Sequence, residues 1–279
     1  MSLAFLFPGQ GSQIKGMGID VFDRFPDLVE QANAELGFSL SNICLNDPND
    51  QLGQTQFTQP ALYLVCYLEA RSKIEDGLSP SLAAGHSVGE FAALATAGAF
   101  SFLDGLKMVS KRGEIMSKVR GGVMAAVIGM DANSIHSTME NTDLDQIDLA
   151  NFNSSGQIVI SGPANQIASI VPVLKDAGAR MVVPLKVSGA FHSRMMEKPA
   201  LEFENFLSEF DFSQPKFPVY SNVDALAYST PEQIPSLLVR QIHSSVRWTE
   251  TILKMREEGA EQFIECGPGN VLTKLLRQI

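Results

Sequence analysis

The stretch SLAAGHSVGEFAALATAGAF, residues 81–100, narrows the choice of fold more than any other part of the chain. SLAAG (81–85) reads as a short strand, and VGEFAALATAGAF (88–100) as an Ala-rich helix. Between them Gly85, His86, Ser87, Val88 and Gly89 spell G-x-S-x-G. A strand that turns directly into a helix around a serine is a nucleophile elbow, and an elbow of this kind stands on an α/β sheet. Small residues at 85 and 89 permit the tight turn. The helix N-terminus beneath the serine favours developing negative charge. The pentapeptide alone says little, because Gly and Ser are common in turns. The strand–turn–helix setting is what makes Ser87 a candidate nucleophile.

The flanking sequence fits such a sheet. LAFLF (3–7) reads as a buried strand stopped by Pro8 and a Gly-rich loop, PGQGSQ. Residues 57–74 read as a helix starting near Pro60. Residues 102–119 form another, with Phe102, Leu106, Val109 and Met116 at helical spacing. The middle of the chain differs. Strands are expected at 123–130, 147–153, 157–162 and 180–187, and helices at 133–142 and 165–178, the latter interrupted by Pro172. That β-α-β-β-α-β order is the ferredoxin-like split βαβ. It reads as a compact insertion, 122–188, into a larger α/β unit made of 1–121 and 189–279. Strands return at 216–223 and 261–266, with helices near 231–242, 248–259 and 270–278.

Composition sets outer bounds. The 279 residues are enough for one large core or for two units sharing one. A net charge of −10 disfavours nucleic acid and anionic membrane surfaces as partners. No apolar run approaches the roughly 20 residues of a membrane span, and the N-terminus lacks the positive region of a signal peptide. Cys44, Cys66 and Cys266 are far apart and form neither a CxxC nor a metal-ligand spacing. Free thiols suit the cytoplasm, which is the expected location.

A serine nucleophile needs a base, and the chain offers four histidines. His86 adjoins Ser87 on the turn, where its side chain would point away, so packing or solvent exposure is expected of it. His136 lies in a polar helix and reads as a surface residue. His243 stands near the lone Trp248 and fits a core or a surface role. His192, in KVSGAFHSRMM, follows a strand end and a glycine, where sites are built. It is the candidate base.

Arg112 shares the apolar face of its helix with Val109 and Met116. A helix arginine is ordinarily solvated, but one facing inward must find an anion. Met108 and Met116 occupy i±4, so no carboxylate of its own helix serves it. A ligand carboxylate is one way to satisfy it. PGQGSQIKG is not a phosphate loop, since Ile14 stands where G-x-G-x-x-G needs its third glycine. It reads better as a loop of backbone donors beside the elbow.

FPGQGSQ (7–13), QPALY (59–63), GHSVGE (85–90), KRGEIM (111–116), NFNSSGQIVISG (151–162), AFHS (190–193), RQI…VRWTE (240–250) and ECGPGNVL (265–272) occur together and in order. On these motifs the chain resembles the malonyl-CoA:acyl carrier protein transacylases of fatty-acid and polyketide synthesis, from about residue 3 to 279. TQFTQPALY and AFHSRMM resemble the free-standing acyltransferases that serve polyketide synthases in trans. The resemblance implies an α/β-hydrolase-like large subdomain with an inserted ferredoxin-like small one. It implies Ser87 as nucleophile, His192 as base and Arg112 as the group that binds the malonyl carboxylate. The backbone N–H groups of Gln10 and Val88 would form the oxyanion hole, and the main-chain carbonyl of Gln241 would orient the histidine.

The mechanism implied is ping-pong: malonyl-CoA acylates Ser87, then the phosphopantetheine thiol of an acyl carrier protein takes the acyl group. No bound cofactor or metal is expected, and the protein is expected to act as a monomer. Met116 and Phe191 would line the acyl pocket. The family's malonyl-selective members carry His-Ala-Phe-His where this chain has Gly189-Ala190-Phe191-His192, so only Gly189 departs. Two other readings compete. One is an acyl hydrolase that clears carrier proteins, for which Arg112 would have no use. The other is a non-catalytic carrier-protein docking module, which would not need Ser87, His192 and Arg112 together. A nucleotide-binding oxidoreductase fails on the glycine pattern.

Overall fold

The computed structural model describes residues 2–279. Strand β1 (Ser2–Phe7) is buried from Leu3 onward. Three helices follow that the sequence reading passed over: α1 (Ile19–Phe22), α2 (Pro26–Leu36) and α3 (Leu40–Asn46). The longest, α2, fully buries only Ala32. Leu28, Val29 and Leu36 lie on the same face and pack partly buried against the core.

Helix α4 (Thr55–Glu75) begins before Pro60, not at it. The Thr58 hydroxyl fixes the start by donating to the carbonyls of Leu52 and Gln54, at 2.7 and 3.0 Å. So near the N-terminus the missing N–H of Pro60 costs the ladder one bond. Strand β2 (Leu82–Gly85) leads into α5 (Gly89–Thr96) and α6 (Phe102–Ser117). The expected helix to residue 100 stops at Thr96 because Gly98 takes a left-handed φ of 81°.

The second sheet uses β3 (Gly122–Ile128), β4 (Asp148–Ser154), β5 (Gln157–Pro163) and β6 (Met181–Pro184), with α7 (Ala132–Glu140) and α8 (Ala164–Asp176) between them. Helix α8 tolerates Pro172, which sits on its exposed face. Strand β6 is shorter than expected, since Pro184 cannot donate to a ladder. The return path holds α9 (Glu197–Leu207), also unforeseen, then β7 (Val219–Tyr220), α10 (Gln233–His243), α11 (Trp248–Glu257), β8 (Ala260–Glu265) and α12 (Val271–Leu276). Of the strand expected at 216–223 only the two residues of β7 pair regularly. Beyond them the chain turns back, with Ala225 N–H donating to Ser221 O at 3.0 Å.

The first sheet has the order β7-β2-β1-β8, and every neighbouring pair is parallel. Helices cover both faces, so its strands read as unbroken apolar runs. Phe5 and Phe7 point into a cluster with residues of α4, α5 and α6. Ala4 and Leu6 point the other way, onto Trp248, Ile252 and Met255 of α11. The second sheet has the order β4-β5-β3-β6, and all its pairs are antiparallel. One face packs on α7 and α8 through Ile135, Ile167, Ile170 and Leu174. The other gives Met124, Ala126 and Val159 to the main core. Main-chain bonds from Phe152 N–H to Val246 O and from Val246 N–H to Ala150 O tie β4 to the segment ahead of α11, each at 2.9 Å. The result is an α/β fold in which the ends of the parallel strands face the second sheet.

Candidate active site

Parallel sheets build sites beyond the carboxyl ends of their strands. Here the loops after β1, β2 and β7 converge. Ser87 sits on the turn between β2 and α5 with φ 52°, a conformation that side chains seldom adopt. The flanking glycines are required by contact. A Cβ on Gly85 would lie 2.0 Å from the Gly89 carbonyl carbon, and one on Gly89 would lie 2.1 Å from Phe7 O. The turn is pinned from outside. Ser87 N–H donates to Asn222 Oδ1 at 2.7 Å, and Asn222 Nδ2 donates to Gly85 O at 2.6 Å.

His192 lies in the loop before α9, also at positive φ, 55°. Its Nε2 is 2.8 Å from Ser87 Oγ. Its Nδ1 faces two carbonyls, Gln241 O at 2.8 Å and Ser244 O at 3.2 Å. Carbonyls accept only, so the network assigns the proton to Nδ1 and leaves Nε2 free to accept. Burial, with the Arg112 cation beside it, lowers the His192 pKa to about 3. The imidazole therefore rests neutral, in the form a base must have.

Arg112 is buried on α6. Its Nη1 donates to Gln59 Oε1 at 2.8 Å, and its Nη2 to Gln241 Oε1 at 2.9 Å and Ser87 Oγ at 3.1 Å. The guanidinium lies 5.8 Å over the Phe91 ring. Its Nε has no partner. Among the described residues no carboxylate forms an ion pair with it. Its charge is held by amide oxygens. Burial lowers its pKa to about 9, with Glu90 acting in the opposite sense.

The sequence-chosen residues thus converge. Gln10, Ser87, Val88, Arg112, Met116, Phe191 and His192 line one cavity. The Gln10 loop presses on the elbow: a Cβ on Gly9 would come 2.5 Å from His86 O. Among the described residues no hydrogen bond within the protein engages the Gln10 or Val88 N–H. His86 turns away, with Nε2 2.9 Å from Asn153 Oδ1 and its ring against Trp248. His136 is exposed beside Glu140, and His243 is half-buried at the end of α10. Gly189 leaves room for Phe191, whose ring would lie 3.2 Å from a Cβ there.

Other functional residues escaped the sequence reading. Gln59 and the Gln241 side chain hold Arg112, and Asn222 holds the elbow. Met124, Leu185 and Val187 complete the apolar wall. Gln59 stands in the QPALY segment, but nothing in its spacing points at Arg112. Glu90 is the largest omission. It is fully buried and accepts from Tyr228 Oη, from Asn222 N–H at 3.0 Å and from Gln241 Nε2 at 2.7 Å. No group of three or more His, Cys, Asp or Glu side chains among the described residues is placed to hold a metal ion, and no described helix is long and apolar enough to cross a membrane.

Residues 4–279 match the acyl transferase domain family. The chain is 48% identical over 281 residues to the polyketide biosynthesis malonyl CoA-acyl carrier protein transacylase BaeC of Bacillus velezensis, covering 99% of this chain and 96% of that protein. It is 50% identical over 277 residues to the polyketide biosynthesis protein ThaF of Burkholderia thailandensis, spanning 99% of this chain but only 24% of that protein's length. A solved type II PKS acyl-carrier protein in complex with its malonyl-transacylase matches with a TM-score of 0.96 at 38% identity, covering 100% of this chain and 93% of that one. Ser87 on its strand–helix turn, the neutral His192 beside it and the buried Arg112 therefore sit in a chain that belongs to the acyl transferase domain family, among the malonyl CoA-acyl carrier protein transacylases.

Proposed function

We propose that this chain moves a malonyl group from malonyl-CoA to the phosphopantetheine thiol of an acyl carrier protein, through an ester on Ser87. One observation carries the reading. A single hydroxyl, Ser87 Oγ, lies within hydrogen-bond reach of a neutral imidazole at 2.8 Å and a buried guanidinium at 3.1 Å. The first makes a nucleophile. The second selects an acyl group that ends in a carboxylate, since guanidinium and carboxylate can share two parallel bonds.

His192 Nε2 takes the Ser87 proton as Oγ attacks the thioester carbonyl. The N–H groups of Gln10 and Val88 meet the oxyanion. Collapse breaks the C–S bond, and the imidazolium returns the proton to the departing CoA sulfur. The carrier thiol then gives its proton to His192, attacks the malonyl ester, and Ser87 recovers the proton. The carbonyl of Gln241 keeps Nδ1 protonated throughout, which is the orienting task an aspartate has in a triad. Met116 and Phe191, with Met124, form the apolar wall of the acyl pocket. Arg112 argues against a hydrolase of unsubstituted acyl chains.

The names of BaeC and ThaF support a polyketide pathway, and the carrier-protein complex of the 38%-identical structure supports a transient carrier partner. The finer architecture belongs to the same proposal. The parallel sheet with its elbow is an α/β-hydrolase-like subdomain, 1–121 and 189–279. The β4-β5-β3-β6 sheet is a ferredoxin-like one, 122–188. The enzyme works as a cytoplasmic monomer with no bound cofactor.

Intact-protein mass spectrometry tests the reading. Malonyl-CoA should add one malonyl group to the wild type and none to Ser87→Ala. A full-strength adduct on the alanine variant ends the assignment.

A further inference from the structure

Arg112 and Glu90 are both fully buried, and they do not touch. The Gln241 amide stands between them. Its oxygen accepts from Arg112 at 2.9 Å, and its nitrogen donates to Glu90 Oε2 at 2.7 Å. Charges in an interior are costly unless balanced. Glu90 is the anion that balances Arg112 across this relay, and on the pocket side the guanidinium meets only the neutral Ser87 Oγ. The arriving carboxylate of a malonyl group makes two anions for one cation.

The surroundings of Glu90 suit a change of charge. Oε2 accepts two firm donors, Asn222 N–H and Gln241 Nε2. Oε1 meets only Tyr228 Oη, a hydroxyl that can donate to a carboxylate or accept from a carboxylic acid. A proton on Oε1 therefore reverses one hydrogen bond and breaks none. We propose that Glu90 is the resting counter-ion of Arg112 and takes up a proton when the acyl carboxylate binds, so that malonyl selection is linked to pH. Glu90 acts through Gln241 and Arg112, and is a positioning residue rather than a catalytic one. The inference rests on the malonyl reading of Arg112.

Burial pushes the Glu90 carboxyl up to about 7, against the pull of Tyr228, Gln241, Asn222 and the Arg112 cation. Its neighbours leave the window from pH 6 to 8 clear. Helix α6 presents Arg112, lowered only to about 9. The loop ahead of α10 presents Tyr228, held well above the ordinary phenol value by burial and Glu90, with Asp224 acting on it. Helix α10 and the loop after β7 present the neutral Gln241 and Asn222. Helix α4 and the strands put no titratable group among those acting on it. His192 and His86 are both shifted below the ordinary histidine value. They are common to wild type and variant, and cancel in a ratio.

The test compares kcat/KM for malonyl-CoA in wild type and Glu90→Gln from pH 6 to 8. The amide keeps the shape and the hydrogen bonds and removes the charge. The two enzymes should agree near pH 6. The variant should then gain on wild type by up to roughly tenfold at pH 8, one decade for the one pH unit above the midpoint. Superimposed profiles, or a variant slower by one factor at every pH, would overturn the proposal, because a packing role moves neither the slope nor the ratio. If the variant fails to fold, wild type alone decides. Mixing it with malonyl-CoA in weakly buffered indicator at pH 8 should show net proton uptake for each malonyl-Ser87 formed: the proton taken by Glu90, less the roughly one quarter of a proton that the released CoA thiol gives up as an ordinary thiol near 8.5. An adduct formed without proton uptake refutes the counter-ion role alone. No adduct at all removes the malonyl reading beneath it.

Discussion

The two four-stranded sheets face the same cleft and equip it differently. The helices around the parallel sheet hold the two groups that meet Ser87 Oγ: Arg112 stands on α6 and is braced by Gln59 of α4, and His192 is held by the Gln241 carbonyl of α10. The antiparallel sheet and the segment after it bring Met124, Leu185 and Val187, which line the pocket mainly with carbon, beside the one amide of Asn151 on β4. The difference follows from what each contribution must do. On the proposed function, proton transfer and carboxylate recognition fail if donors drift by an ångström, and their groups sit in a buried polar network in which Arg112 Nε alone has no partner. An apolar wall discriminates by volume and tolerates adjustment. The polar side should therefore break sharply under mutation, and the apolar side should shade.

His192→Ala probes the polar side hardest. Loss of the base should slow acylation by about 10²–10⁴-fold. His86→Ala, whose imidazole faces Asn153 and Trp248, should slow the chemical step less. Stopped-flow acylation with malonyl-CoA ranks them, and the reverse order would mean that the elbow works through its adjacent histidine. The His192 pKa, lowered to about 3 by burial and Arg112, adds a pH test. A base whose folded-state value is depressed stays neutral, and active, as pH falls through the ordinary histidine range. Wild type should show no acid limb centred near 6.5 with the slope of a free imidazole.

Arg112→Ala comes next. Removing one partner of a desolvated charge pair costs roughly 2–5 kcal/mol, about 30- to several-thousand-fold. Malonyl transfer should fall by that range. Acetyl transfer should hold or improve, since a neutral acetyl group never used the cation. Arg112→Lys should lie between the two. Equal losses for malonyl-CoA and acetyl-CoA, with thermal melts unchanged, would make Arg112 part of the frame and dissolve the distinction between the two sides.

The apolar wall should show the smallest effect. Phe191 lines the pocket beside Ser87, where on the proposed function it would crowd an α-methyl group, and one methyl is worth about 1–3 kcal/mol of discrimination. Wild type should prefer malonyl-CoA over methylmalonyl-CoA by roughly 10–200-fold in kcat/KM. Phe191→Ala or Met124→Ala should reduce the preference with malonyl transfer largely kept. A wild-type enzyme indifferent to the methyl group would remove the steric account.

Much of this was legible in one dimension because the chemistry demands local patterns. Gly85 and Gly89 flank Ser87 since no larger residue fits the turn, and that requirement is written in five consecutive letters. The β-α-β-β-α-β order of the middle segment showed in alternating strand and helix patterns, and its edges held to within a few residues. Helices α1 to α3 and α9 did not show. Helices α2 and α9 do carry short apolar stripes, Leu28, Val29, Ala32 and Leu36 in one and Ala200, Phe203 and Leu207 in the other, so their spacing held a signal that the strand and loop motifs around them outweighed. The helix expected at 57–74 fell within two residues of α4 at its start and one at its end, with Pro60 inside the helix and not at its first turn.

The sequence by itself determined the elbow, the inward arginine and the order of elements, since each follows from spacing along the chain. It left open what anion Arg112 would meet, and offered a ligand as one answer. Only the tertiary structure decided that two amide oxygens and a serine hydroxyl meet it, with Glu90 one amide away. In one dimension Glu90 is an acid in the first turn of a helix, ordinary there because it favours the dipole. Its burial depends on Tyr228, Asn222 and Gln241, more than 130 residues downstream. Burial and charge balance are properties of everything that surrounds a group, and no local spacing encodes surroundings that arrive from the far end of the chain.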